Sequence, residues 1–154
     1  MKAMPEITAV TDGEANCLNR CACTLVRSYE YLYVSLTCTY SLWKYGRLPF
    51  CWARGSTSAF GCNNEVLKSD GTLVTSRLSW RYDLRGNLGN GEASLTIAQV
   101  QEGDSGKYIC RVEIPGWFND QEVETTLNVQ SSGAHTAASW ISVHLSCKSL
   151  NCPN

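Results

Sequence analysis

The stretch Ile114-Pro-Gly-Trp-Phe-Asn-Asp120 gathers the residue types with the most chemical potential in this chain. Asp120 offers a carboxylate and Asn119 an amide oxygen, and a Pro115-Gly116 bend can turn the Ile114 and Gly116 carbonyls inward. Oxygen donors of these kinds are what a hard divalent cation such as Ca2+ takes. An Asn-Asp pair after a bend is, taken by itself, ordinarily a turn. Trp117 and Phe118 are adjacent aromatics in the same stretch. Apolar area left exposed on a loop marks a contact surface, and indole rings favour the membrane–water interface. The same pair also suits packing against a neighbouring loop or a protein-binding hot spot. The residues alone leave these readings open.

No other group of residues competes with that loop. Cys21, Cys23, Cys147 and Cys152, with His135 and His144, lack the spacing of a compact zinc site. Both histidines lie in the tail, in no recognisable frame with a Ser or Cys nucleophile, which argues against an enzyme. Thirteen basic residues against fourteen acidic ones, for a net charge of −1, give no electrostatic footprint for nucleic acid. Arg54, Lys107 and Arg111 could assist near an anionic surface, but read first as a solvated strand face. Nine cysteines point to an oxidising compartment, and an odd count leaves one thiol unpaired or shared with another chain. Residues 1–20 contain no apolar core of a signal peptide. No stretch reaches the roughly 18–20 apolar residues of a membrane span. The expectation is an incomplete or alternative product of a membrane-protein gene.

The elements that must hold the loop are strands. From residue 24 to residue 130 short alternating β-prone runs are separated by turns, the texture of an all-β sandwich. Val34 to Cys38, Phe50 to Trp52, Leu67 to Gly71, Ser79 to Leu84, Ala93 to Ile97, Lys107 to Ile114 and Glu122 to Gln130 are the expected strands, with an Asp70-Gly71 turn. No useful helix shows a 3.6-residue apolar period. Residues 1–23 and 131–154 read as poorly structured extensions, around a domain of residues 24–130.

Four features in order fix the kind of sandwich. Cys38 and Cys110 each lie within a strand, Trp52 follows the first cysteine, and Tyr108 stands two residues before the second in Asp104-Ser-Gly-Lys-Tyr108-Ile-Cys110. These are the inter-sheet disulfide, core indole and tyrosine corner of an immunoglobulin domain. Arg81 is placed to pair with Asp104 across the base of a V-type sandwich. The 114–120 loop then joins the last two strands, where variable domains carry a hypervariable loop.

The words Cys51-Trp-Ala-Arg-Gly-Ser56, Phe60-Gly-Cys62, Ser94-Leu-Thr-Ile97, Asp104-Ser-Gly106 and Cys110-Arg-Val-Glu-Ile-Pro-Gly-Trp-Phe-Asn-Asp120 carry a resemblance. Residues 24–130 resemble the immunoglobulin domain of the T-cell immunoglobulin and mucin-domain family, and look most like its phosphatidylserine-receptor member found on phagocytes. The resemblance implies a second disulfide, Cys51–Cys62, that folds the loop after the third strand against the sheet. The family's third pair falls on Thr57 and Ile109, neither of which is cysteine, so the loop is expected to be pinned once and more mobile. It also implies a Ca2+-dependent ligand site at Asn119, Asp120, Ile114 and Gly116, with Trp117 and Phe118 entering lipid and phosphatidylserine as the partner. Placement on the extracellular side of the plasma membrane and a role in apoptotic-cell recognition follow from the same resemblance. The alternative is a domain that binds other immunoglobulin-like receptors with no lipid or metal. The family's mucin-like stalk, membrane span and cytoplasmic tail have no counterpart in these residues.

Overall fold

The computed structural model describes residues 6–8, 23–27, 33–131 and 140–149. Alternating apolar positions build two facing sheets, as expected of half-buried strands. The first holds β1 (Glu6–Thr8), β3 (Tyr33–Leu36), β10 (Leu95–Ala98) and β9 (Tyr82–Asp83), in that order. The second runs β2 (Cys23–Arg27), β13 (Trp140–Ser149), β12 (Gln121–Ser131), β11 (Gly106–Val112), β4 (Phe50–Arg54), β7 (Glu65–Ser69) and β8 (Val74–Arg77). A small hairpin, β5 (Thr57–Ser58) with β6 (Gly61–Cys62), stands apart from both. One helical turn, α1 (Leu42–Tyr45), links β3 to β4.

The core lies between the sheets, where Val34, Leu36, Trp52, Leu95, Ile97, Tyr108, Val112 and Leu127 are all buried. Cys38 and Cys110 are bonded across it, with Cα atoms 6.4 Å apart. The Trp52 indole fills the space beside them and donates Nε1–H to the Ala93 carbonyl at 2.8 Å, so its one polar atom is satisfied. Tyr108 donates its hydroxyl to the Asp104 carbonyl at 2.7 Å, closing the tyrosine corner. Burial pushes the Tyr108 pKa up, so the neutral hydroxyl that makes this bond is favoured. Arg81 pairs with the buried Asp104 carboxylate, which also accepts the Gln101 amide at 2.7 Å.

Two segments differ from the alternation reading. Of the expected strand from Ser79 to Leu84, only Tyr82–Asp83 pairs with a neighbour. Tyr82 donates its amide back to the Ser79 carbonyl at 3.1 Å, and Trp80 stays exposed, so the first half is a turn. The segment after residue 130 does not leave the domain. β12 runs to Ser131, and β13 pairs antiparallel with it from Val123↔Ser149 to Ser131↔Ile141. Period-two alternation explains it, because Val143 and Leu145 point into the core while His144 and Ser146 face out. The rest of the two extensions, with Cys17, Cys21, Cys152 and His135, lies outside the described residues.

Candidate functional site

β11 and β12 register from Gly106↔Leu127 to Val112↔Gln121, so the chain between them emerges at one end of the sandwich. Its stem is fixed to that end on both sides. Glu113 donates its amide to the Pro49 carbonyl at 2.9 Å, and Gln121 Nε2 donates to the Thr39 carbonyl at 2.8 Å. Ile114 packs partly buried against the core.

Above the stem the loop is organised by Asp120 and Asn119. Asp120 Oδ1 accepts the Ile114 amide at 3.1 Å, and Oδ2 accepts Arg111 Nε–H at 2.8 Å. These bonds fix the orientation of the carboxylate. Asn119 Nδ2 donates to the Pro115 carbonyl at 3.2 Å, which commits the nitrogen end of the amide to the loop's own backbone. Gly116 has φ +121°, and a Cβ there would collide with the Asn119 amide. The backbone conformation requires glycine here, and any side chain would also displace the Asn119 amide from its place. Phe118 sits at φ +55°, uncommon for a bulky side chain, and strain of that kind concentrates at ligand-binding loops. Trp117 and Phe118 are 88% and 97% exposed. Among the described residues neither ring is buried against a neighbouring loop.

All four expected donor residues, Ile114, Gly116, Asn119 and Asp120, thus lie in one closed turn. The donor set is oxygen throughout, the chemistry a hard divalent cation takes. Among the described residues no group of three or more His, Cys, Asp or Glu side chains converges to hold a metal ion. A cation here would rest on one carboxylate, an amide and backbone carbonyls.

Arg111 is not on a solvated face. Its side chain is 13% exposed and lies beneath the β5–β6 hairpin. Besides Asp120, its guanidinium bonds the Ser58 carbonyl and reaches the Ala59 and Gly61 carbonyls at 3.5 Å and Glu122 at 3.8 Å. Cys51 and Cys62 are bonded, tying the hairpin to β4. Thr57 Oγ1 donates to Glu122 Oε1 at 2.7 Å. The loop expected to be pinned once is held covalently once and by these polar contacts as well. Arg54 also turns inward, donating to the Ser105 carbonyl at 3.0 Å with its guanidinium 5.7 Å from the Tyr108 ring. Lys107 alone of the three basic residues fits the solvated reading, half-exposed and 3.6 Å from Glu124. The signal for Arg111 was legible in principle: Cys110 points into the core, so the next residue must point out, beside Cys51.

Comparison with known proteins places the chain. Residues 32–130 match the family described as Immunoglobulin V-set domain. The chain is 42% identical over 103 residues to human T-cell immunoglobulin and mucin domain-containing protein 4, covering 67% of this chain and 27% of that protein. It is 47% identical over 97 residues to the mouse hepatitis A virus cellular receptor 1 homolog, covering 63% of this chain and 32% of that protein. The chain therefore spans about a third or less of these relatives' length. Among solved structures, Tim-4 in complex with phosphatidylserine superposes with TM-score 0.55 at 47% identity, over 60% of this chain and 84% of that one. Tim-2 gives TM-score 0.59 at 38% identity, over 64% and 90%. These families consist of recognition domains, not enzymes. This chain belongs to the immunoglobulin V-set family, as a member of its T-cell immunoglobulin and mucin-domain group.

Proposed function

We propose that this domain is a cell-surface recognition module that binds phosphatidylserine through Ca2+ held at the 114–120 loop. The observation that carries the reading is one short turn bearing both an oriented carboxylate and two almost fully exposed aromatic rings. Asp120 brings a single negative charge to a divalent ion, leaving charge and coordination positions for the oxygens of an anionic headgroup. Asn119 and the Ile114 and Gly116 carbonyls would complete the protein's share of the shell. Trp117 and Phe118 beside those oxygens match the layering of a bilayer surface, polar headgroups over acyl chains. Similarity to a protein solved with phosphatidylserine supports the lipid class. In the whole protein this activity would serve recognition of dying cells and immune regulation from the extracellular face of the plasma membrane. Among the described residues no helix is long and apolar enough to cross a membrane.

A second reading, contact with another immunoglobulin-like receptor through the same loops, is favoured by the exposed aromatics, which are the residue types of protein hot spots. Co-sedimentation with vesicles separates the two. The lipid reading expects capture by phosphatidylserine vesicles in calcium, release on chelation and no capture by phosphatidylcholine vesicles. Absence of capture would favour the protein partner, whereas calcium-independent capture would keep the lipid and remove the metal from the mechanism.

A further inference from the structure

We propose that Arg111 keeps the calcium site weak until lipid arrives: its guanidinium offsets the charge of Asp120, so that the ion and an anionic headgroup bind as a pair. The inference rests on the phosphatidylserine reading above and adds to it the residue that ties the two ligands together. Asp120 is the only carboxylate in the 114–120 loop. Its Oδ2 accepts Arg111 Nε–H at 2.8 Å, so the one charged ligand proposed for the ion already faces a full positive charge. Arginine stays protonated across the physiological range, which makes this offset permanent.

The guanidinium is clamped in place when a cation approaches. On its far side it meets the carbonyls of Ser58, Ala59 and Gly61, on a hairpin tied to β4 by Cys51–Cys62. Its side chain is largely shielded, so salt and water screen its charge less than they would at the surface. The other charges nearby are few. Glu122 lies 3.8 Å from Arg111 and accepts the Thr57 hydroxyl at 2.7 Å. Lys107 pairs with Glu124 at 3.6 Å, and Glu113 is exposed immediately before the loop. Asp120 and Glu122 thus share one guanidinium, and the three groups together carry a single net negative charge.

Calcium affinity follows the number of charged ligands that a site supplies. A dication drawn to Asp120 must also come near the guanidinium, and two positive centres repel strongly where water is scarce. The protein by itself therefore makes a poor calcium site. A phosphatidylserine headgroup brings phosphate and carboxylate oxygens, which supply the missing negative charge. By linkage the effect is reciprocal: the factor by which the headgroup raises calcium affinity is the factor by which calcium raises headgroup affinity. A domain built this way responds to calcium and an anionic membrane together, and to neither alone.

The test measures calcium affinity by titration calorimetry on the full chain, with and without a short-chain phosphatidylserine kept below its micelle concentration. Wild type, Arg111→Gln and Glu122→Gln are compared at a temperature where thermal unfolding shows each to be folded. Wild type should bind calcium about tenfold more tightly, or better, when the lipid is present. Arg111→Gln removes the positive charge and keeps an amide donor for Asp120. Its lipid-free calcium affinity should rise about tenfold, the scale of one charge in a partly screened site, and the effect of lipid should shrink. Glu122→Gln keeps an acceptor for Thr57 and leaves the guanidinium to bear on Asp120 alone, so lipid-free calcium affinity should fall. Damage to the fold would weaken both variants, whereas the proposal requires opposite shifts. If Arg111→Gln binds calcium no more tightly than wild type without lipid, or if wild-type affinity ignores the lipid, the inference is overturned. Should Arg111→Gln fail to fold, an unchanged or raised affinity in Glu122→Gln overturns it instead. In each of these cases vesicle capture in calcium would leave the phosphatidylserine reading standing. If wild type takes up no calcium even with the lipid, both fall together.

Discussion

At Asp120 one carboxylate oxygen accepts the Ile114 amide and the other faces the Arg111 guanidinium, so the side chain proposed to hold the ion also braces the loop. A substitution there changes stability and binding together. Removing the carboxylate leaves a shielded guanidinium short of its partner, a loss of roughly 1–3 kcal/mol by the usual cost of an unsatisfied polar group. Calorimetry without calcium checks this, and an unchanged midpoint would mean that Arg111 finds another acceptor. Trp117 offers the cleaner probe. Its ring is 88% exposed, so Trp117→Ala should leave folding alone. Burying one aromatic side chain is worth roughly 1.5–3 kcal/mol, so vesicle affinity should fall about tenfold to a hundredfold. The calcium dependence should survive, because ring insertion and ion coordination are separate contributions. An unaltered affinity would take Trp117 out of the membrane contact.

Among the elements, β13 has the largest consequence for how the domain is bounded. Without it, β12 would present an open edge, a template for pairing with another chain. Val143 and Leu145 also fill core positions. Deleting residues 132–154 should therefore cost roughly 3–6 kcal/mol, taking two buried aliphatic side chains at the usual transfer value. It should also promote self-association along β12. Denaturant titration and sedimentation at several concentrations test both effects. A truncated chain as stable and monomeric as the full one would show that β13 contributes little. The strand was hard to read from sequence because its apolar residues, Ile141, Val143 and Leu145, are interrupted by polar ones and follow a Ser-Gly-Ala-His-Thr stretch of loop composition. The sandwich itself was legible because its markers are steric. A buried indole beside a disulfide and a tyrosine corner tolerate few substitutes, and Trp52, Cys38–Cys110 and Tyr108 lie where that logic puts them. The Arg111 clamp was obscured because a charged residue on an outward position normally meets water. Here a hairpin drawn over it by Cys51–Cys62 supplies carbonyl acceptors instead.

At the scale of the whole molecule, the two sheets, the inter-sheet disulfide and the Arg81–Asp104 pair make a rigid base that leaves recognition to one end. That end presents an oxygen-rich turn between projecting rings, and the central claim is that calcium joins it to phosphatidylserine. The most direct measurement is vesicle affinity as a function of free calcium, for wild type beside Asp120→Asn. The asparagine keeps the size and one acceptor oxygen of the side chain while removing its charge. The account predicts no wild-type binding under chelation, a saturable rise with calcium, and a curve displaced to markedly higher calcium for Asp120→Asn at temperatures where both proteins are folded. Binding that ignores calcium, or an Asp120→Asn curve that overlays wild type, would contradict it.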